Sequence, residues 1–327
     1  MSHSGPTSIP GTLNITIAAA AVAAALILLR AASLGESWLL TAAAALAFSF
    51  IGNTVFACLH ECVHGVFHRS KTINDLFGIV CAAMFPTGYS LQRSAHLGHH
   101  ERNRSESERF DYYAPEDSRA LKTLQWYGII SGIYWIVVVA GWLVYLVCPF
   151  LFSERLWRNR HSARAEHTSG PAYARSFSTA PPVRSRIELL FTLVCQAALF
   201  WLLDLSVTGW LACYLAFGLN WSALQYADHA FSPLHVTEGA WDLRVHPLVQ
   251  AIFLNYHLHL AHHRRPGLSW IHLPKQVDST RPRPSFLRHY LRMWAGPQPL
   301  HLATSDAAAD AGPGPTGNAE CTLERAD

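Results

Sequence analysis

Residues 37–64 read SWLLTAAAALAFSFIGNTVFACLHECVH. No charged side chain occurs from Ser37 to His60, and about 20 such residues suffice to cross a hydrocarbon core of about 30 Å. The run ends in His60-Glu61-Cys62-Val63-His64, whose two histidines, four residues apart, share one face of a helix. Polar groups on the end of an apolar span are costly unless something uses them. This one stretch therefore sets two expectations, a membrane protein and a site at the membrane face.

The whole chain agrees. Of 327 residues 50% are hydrophobic and only 14% charged, and the mean hydropathy is +0.14, outside the range of ordinary soluble proteins. A net charge of +3 is too small to point to nucleic acid. Nineteen histidines against three methionines is the unusual entry, because imidazole is the commonest transition-metal ligand. Seven cysteines without paired spacing give no disulfide framework or zinc ribbon; Cys58, Cys62, Cys81, Cys148, Cys195 and Cys213 read as buried small hydrophobes.

Working outward from residues 37–64, Thr12 to Leu29 forms a first span, retained rather than cleaved as a signal peptide, and pairs with Ser37 to His60 around Gly35. Ile187 to Leu203 and Leu205 to Ala227 read as a second hairpin turning at Asp204, with Glu188 at its edge. Leu76 to Gln92, short and holding Pro86, is expected at the interface. Thr123 to Ser153 is long for one span and short for two, hence a re-entrant or V-shaped pair. The arginine-rich linker from Glu154 to Arg186 is expected to stay cytoplasmic. The fold class is thus an all-α integral membrane protein with about four transmembrane helices in two hairpins, re-entrant or interfacial helices, and a cytoplasmic His-rich cap. Residues 1–300 form one domain and residues 301–327 a disordered tail; the expected location is a bacterial inner membrane with the site on the cytoplasmic face.

Three further polar segments follow the first: His96-Leu97-Gly98-His99-His100, Gln225-Tyr226-Ala227-Asp228-His229 and His259-Leu260-Ala261-His262-His263. One HxxxH is expected about once by chance at this histidine content, whereas HxxHH is expected roughly 0.06 times, so two copies are not coincidence. The topology returns all four segments to one membrane face. A catalytic zinc takes three protein ligands, but nine clustered histidines, His60, His64, His96, His99, His100, His229, His259, His262 and His263, fit two metals. Imidazole suits iron, copper and zinc alike.

The order HxxxH, HxxHH, an isolated His after a second hairpin, then HxxHH resembles the membrane fatty acid desaturases and their relatives, the membrane alkane hydroxylases and carotenoid ketolases, over roughly residues 37 to 290. The resemblance implies two iron ions that activate dioxygen against an unactivated C–H bond of a lipid or acyl chain. It also implies that the nine histidines are ligands, with Gln225 standing where relatives often carry an Asn near one iron. His259, in place of the Gln of front-end desaturases, argues against that subgroup. Electrons then come from a separate redox protein of ferredoxin, rubredoxin or cytochrome type. Desaturation is the first reading, and hydroxylation or ketolation on the same site the alternative.

A rival of another class is a membrane zinc metalloprotease or hydrolase, since His60-Glu61-Cys62-Val63-His64 is also HExxH with Glu61 as base. It leaves both HxxHH boxes unexplained. His68, His257, His272 and His289 read as ordinary interfacial histidines; on a helix His257 would point about 200° away from His259. Asp228 and Glu101 are candidate acceptors that orient ligand imidazoles. Arg102, Arg104, Arg264, Arg265 and Lys275 either receive an anionic head group, an acyl carrier or the electron donor, or rest on anionic lipid.

Overall fold

A computed structural model describes residues 8–35, 37–153, 156 and 169–303. Helix α1 (Gly11–Ser33) turns at Gly35, φ 71°, into α2 (Trp38–His64). Ser37 starts α2 by accepting from Leu40 N at 3.1 Å. Gly65, left-handed at φ 74°, ends it one residue past His64, with its N–H on Cys62 O. Both histidines of the first box thereby sit in the last turns of a 27-residue helix.

The chain continues through α3 (Lys71–Met84) and α4 (Tyr89–Arg102). The expected single interfacial piece at Leu76 to Gln92 is thus two helices broken around Pro86, because proline cannot continue a helix. Next come α5 (Arg119–Ile130) and α6 (Ile133–Val147), bent by 92° at their junction. Part of the linker expected from Glu154 to Arg186 is helical: α7 spans Ser169–Ser178, and α8 (Pro182–Leu202) starts five residues before the expected Ile187. Residues 154–155 and 157–168, with their arginines, lie outside the described residues, as do 304–327, on which most of the expected tail falls. Helix α9 (Val207–Ala227) is capped by Ser206, which accepts from Gly209 N. Three short helices close the domain, α10 (Pro247–Ile252), α11 (His259–Arg264) and α12 (Phe286–Met293). Tyr112–Tyr113 pairs in parallel with Gln298–Pro299.

Among the described residues three helices are long and apolar enough to cross a membrane, α1, α2 and α8, or four if α5 and α6 form one bent span. Helix α9, expected from Leu205 to Ala227 as a full span, is not among them. Asn220, Ser222 and Gln225 dilute its apolar character, and it packs in the middle of the bundle against α1 and α2. The core joins these three helices through Ala21, Leu29, Phe48, Phe56, Phe217 and Trp221. Ile27, Leu46, Val194 and Trp201 are exposed on the outside, an apolar surface that suits lipid and not water. Glu188, expected at the edge of its span, lies in the second turn of α8 and is buried, accepting from Ser90 N at 2.6 Å and Ser90 Oγ at 2.9 Å. It thereby satisfies the start of α4, the helix of the second box.

The bend between α5 and α6 needs glycine. Gly132 has φ 89°, and a Cβ there would lie 2.9 Å from Leu219 Cα. Gly132→Ala is expected to cost about 1–3 kcal/mol for the backbone conformation alone, with more for the clash against α9. A lowered thermal midpoint in detergent checks this.

Candidate metal centre

Each box acquires its geometry from short-range helix periodicity. His60 and His64 lie on the last turns of α2, His96, His99 and His100 near the end of α4, and His259, His262 and His263 on the single long turn of α11. Asp242 Oδ1 accepts from Ala261 N at 3.0 Å and so stabilises the start of that turn. His229 follows Asp228, the residue that ends α9.

The tertiary fold brings all nine together in two sets. His60, His64, His96, His100 and His262 form one, and His99, His229, His259 and His263 the other, each with one candidate ligand atom per residue and all such atoms within 4.8 Å of one another. The Nε2 atoms of His96 and His64 are 2.9 Å apart, of His100 and His96 3.1 Å, of His262 and His100 3.0 Å, and of His99 and His229 3.1 Å. An ion with Fe–N or Zn–N bonds of about 2.1 Å places ligands at right angles about 3.0 Å apart, and tetrahedral ligands about 3.4 Å apart. The observed spacing matches the first. The sets touch through His100 and His263, whose rings are 4.3 Å apart. Buried His60 Nε2 and His263 Nε2 have no hydrogen-bond partner among the described residues, an arrangement that an unmetallated core would not favour.

The sequence model of the fatty acid desaturases matches residues 36–297. The chain belongs to the fatty acid desaturase family. Among individually curated proteins none matches the sequence. Membership implies an oxidoreductase with a lipid substrate, associated with a membrane.

In this desaturase-family chain the outer ends of two imidazoles of the second set, His99 and His229, are held in the way that orients metal ligands. His229 Nδ1–H donates to Gly239 O at 2.8 Å and His99 Nδ1 pairs with Glu108 Oε2 at 2.7 Å, leaving each Nε2 for its set. Asp228 Oδ2 lies 3.4 Å from His259 Nδ1, and burial pushes the Asp228 carboxyl well above the usual range. Of the two acceptors expected from sequence, Asp228 is buried beside His259 without a hydrogen bond to it, and Glu101 is exposed; Glu108 takes the role expected of Glu101. Nothing local to Glu108 marks it; it reaches His99 only because the chain doubles back after α4, and Arg102 Nη2 holds its other oxygen at 3.1 Å.

Gln225 is next to the sets without joining them in this geometry. Its Oε1 accepts from Tyr256 Oη at 3.1 Å, its Nε2 has no partner among the described residues, and the Tyr256 ring stands 5.0 Å from that of His60. Glu61 turns away: its Oε2 accepts from Ser269 Oγ at 2.8 Å and from Trp270 N at 3.1 Å. A protease base must face a metal-bound water, so this engagement counts against the zinc reading. His257 stays outside both sets, but not by helical phase. It is in the turn before α11, its carbonyl accepting from Leu243 N beside the Asp242–Leu258 bridge. His68 and His272 bind backbone near the surface, and His289 Nε2 pairs with Ala230 O.

The arginines beside the boxes divide. Arg104 is buried and grips Asp111 with both terminal nitrogens, at 2.9 and 2.8 Å, so it receives no head group. Arg264 is paired with Glu238 and Asp278. Arg265 and Lys275 are exposed.

Burial first, then the neighbouring imidazoles, pulls His96, His259, His262 and His263 well below their ordinary value, and His229 likewise. They are neutral in the folded chain, the state a metal needs. An unfolded histidine protonates near pH 6.5, so below that pH the unfolded state binds more protons and stability falls. The thermal midpoint of the metal-free protein is expected to decline steadily from pH 7 to pH 5. Glu108→Gln, which keeps the shape but removes the charge facing His99, is expected to weaken metal affinity about 10–100-fold, read by chelator competition.

Proposed function

We propose that the chain is an oxygen-dependent desaturase that introduces a double bond into the apolar chain of a lipid, using two iron ions held by its nine clustered histidines. One iron would take His60, His64, His96, His100 and His262; the other would take His99, His229, His259 and His263, with Gln225 close by. The observation that carries this reading is the division of nine imidazoles into two touching sets with nitrogen spacings of 2.9–3.1 Å. Five and four imidazoles exceed the three that a catalytic zinc uses.

When bound, the irons would supply dioxygen activation and the abstraction of hydrogen from an unactivated methylene. The protein's part is positioning. Glu108 and Gly239 O hold the rings of His99 and His229, and His60, His229, His259, His262 and His263 are buried, which limits water at the centre. Electrons would come from a separate protein of ferredoxin, rubredoxin or cytochrome type, for which exposed Arg265 and Lys275 beside the last box are a candidate contact. By the positive-inside rule the centre is assigned to the cytoplasmic face of a bacterial inner membrane.

The test is reconstitution of the iron-loaded protein with membrane lipid, reductant and oxygen, followed by mass spectrometry of the acyl chains. A product lacking two hydrogens is expected. A product carrying one additional oxygen would make the chain a hydroxylase, and unchanged lipid with active cleavage of a peptide would overturn both readings.

A further inference from the structure

A cavity of about 710 Å³ opens on the side of α4 away from the histidine sets, between the end of α2, α3, α7 and the start of α8. That is the size of a small-molecule site, but its lining is cationic, with six Arg and Lys side chains against two carboxylates. Asp75 accounts for Lys71 and Arg184, and Glu108 for Arg102. Arg69, Arg93 and Arg175 have no carboxylate partner among the described residues. Arg93 donates to Val63 O, immediately before His64. The amino-terminal ends of α3 and α8 lie at the rim, through Lys71 and Pro181, and neither helix has a side-chain cap. Their uncapped N–H groups add partial positive charge.

Arg69 and Arg175 are exposed, which softens the repulsion among the cations, but an anion that joins them would relieve it, and arginine matches phosphate with two parallel hydrogen bonds. We propose that this cavity binds a phosphate-bearing head group. Gly65, next to His64, and Leu97 and Gly98, between His96 and His99, line the cavity, so the phosphate sits about 10 Å, one helix width, from the candidate metals. Whether the phosphate belongs to the oxidised molecule rests on the proposed function; the occupancy of the cavity does not.

Equilibrium dialysis with radiolabelled glycerol 3-phosphate tests it, using the iron-loaded protein in detergent and glycerol as the uncharged control. Saturable binding is expected, weakened about tenfold in the Arg69→Gln, Arg175→Gln double variant and strengthened about twofold in Glu101→Gln, which removes a repelling carboxylate. The gain in the second variant cannot come from misfolding, and iron content should be equal in all three proteins. Repeating the measurement in phosphatidylglycerol nanodiscs separates the sources: lost affinity assigns the cavity to a bilayer lipid, unchanged affinity to a soluble phosphorylated carrier. Absence of saturable binding, or equal binding by wild type and both variants, overturns the proposal. Binding as expected in a protein that oxidises no lipid would leave the cavity standing and remove the proposed function.

Discussion

His262→Ala is expected to abolish lipid oxidation, by at least about a hundredfold, and to lower the iron content from about two toward one per chain. His262 is 3% exposed. Its Nε2 is 3.0 Å from His100 Nε2 and its ring 4.5 Å from that of His60, so it joins the helices of the first two boxes to the last. Alanine leaves a void in the first set, and the four imidazoles that remain come only from α2 and α4. The second set has no contribution from His262 and should keep its ion. His257→Ala is the matched control: equally buried, five residues away and outside both sets. It should retain full metal content, and loss of iron from both variants alike would mean that the sets are wrongly drawn.

Arg104→Ala is expected to be the most destabilising single change away from the histidines, at about 3–5 kcal/mol, the cost of stranding a buried carboxylate. Arg104 follows the second box, and its guanidinium binds Asp111, Tyr226 Oη and Ser232 O. Tyr226 is on the last turn of α9 and Ser232 follows His229, so the contacts of one side chain tie the second box to the third. Asp111 also accepts from Phe231 N at 2.5 Å. Arg104→Lys should rescue little, since a point charge cannot replace the two-nitrogen fork. Adding Asp111→Leu to Arg104→Met should recover stability relative to Arg104→Met alone, because the unpaired charge is then gone. Thermal midpoints and yields of folded protein in detergent read all four variants.

The histidines were legible in the sequence because the information is local. Spacings of three and four residues on helix ends declare a shared face, and two copies of HxxHH exceed chance. That the segments meet followed from returning each hairpin to one side, although α9 is a polar-flecked central helix less apolar than α1, α2 and α8. What the sequence did not show is the layer that orients the imidazoles. Glu108 was invisible and exposed Glu101 looked equivalent, because a carboxylate's reach depends on how the chain turns after α4. Glu61 fitted a protease motif on α2 until its partners, Ser269 and Trp270, arrived from more than two hundred residues away. Arg104 read as a surface charge for the same reason. His257 was set aside on helical phase, although no helix runs through it; it lies in the turn before α11 and outside both sets. The start of α8 was missed because Glu188 looked like the limit of an apolar run, whereas it is a buried acceptor for the start of α4.

The central claim is that two sets of imidazoles hold two irons. Metal analysis of the detergent-purified protein, counting iron and zinc per chain after expression in iron-rich medium, tests it most directly. The account predicts about two irons and little zinc. One zinc per chain and no iron would contradict it, and would return Glu61 to consideration as a base.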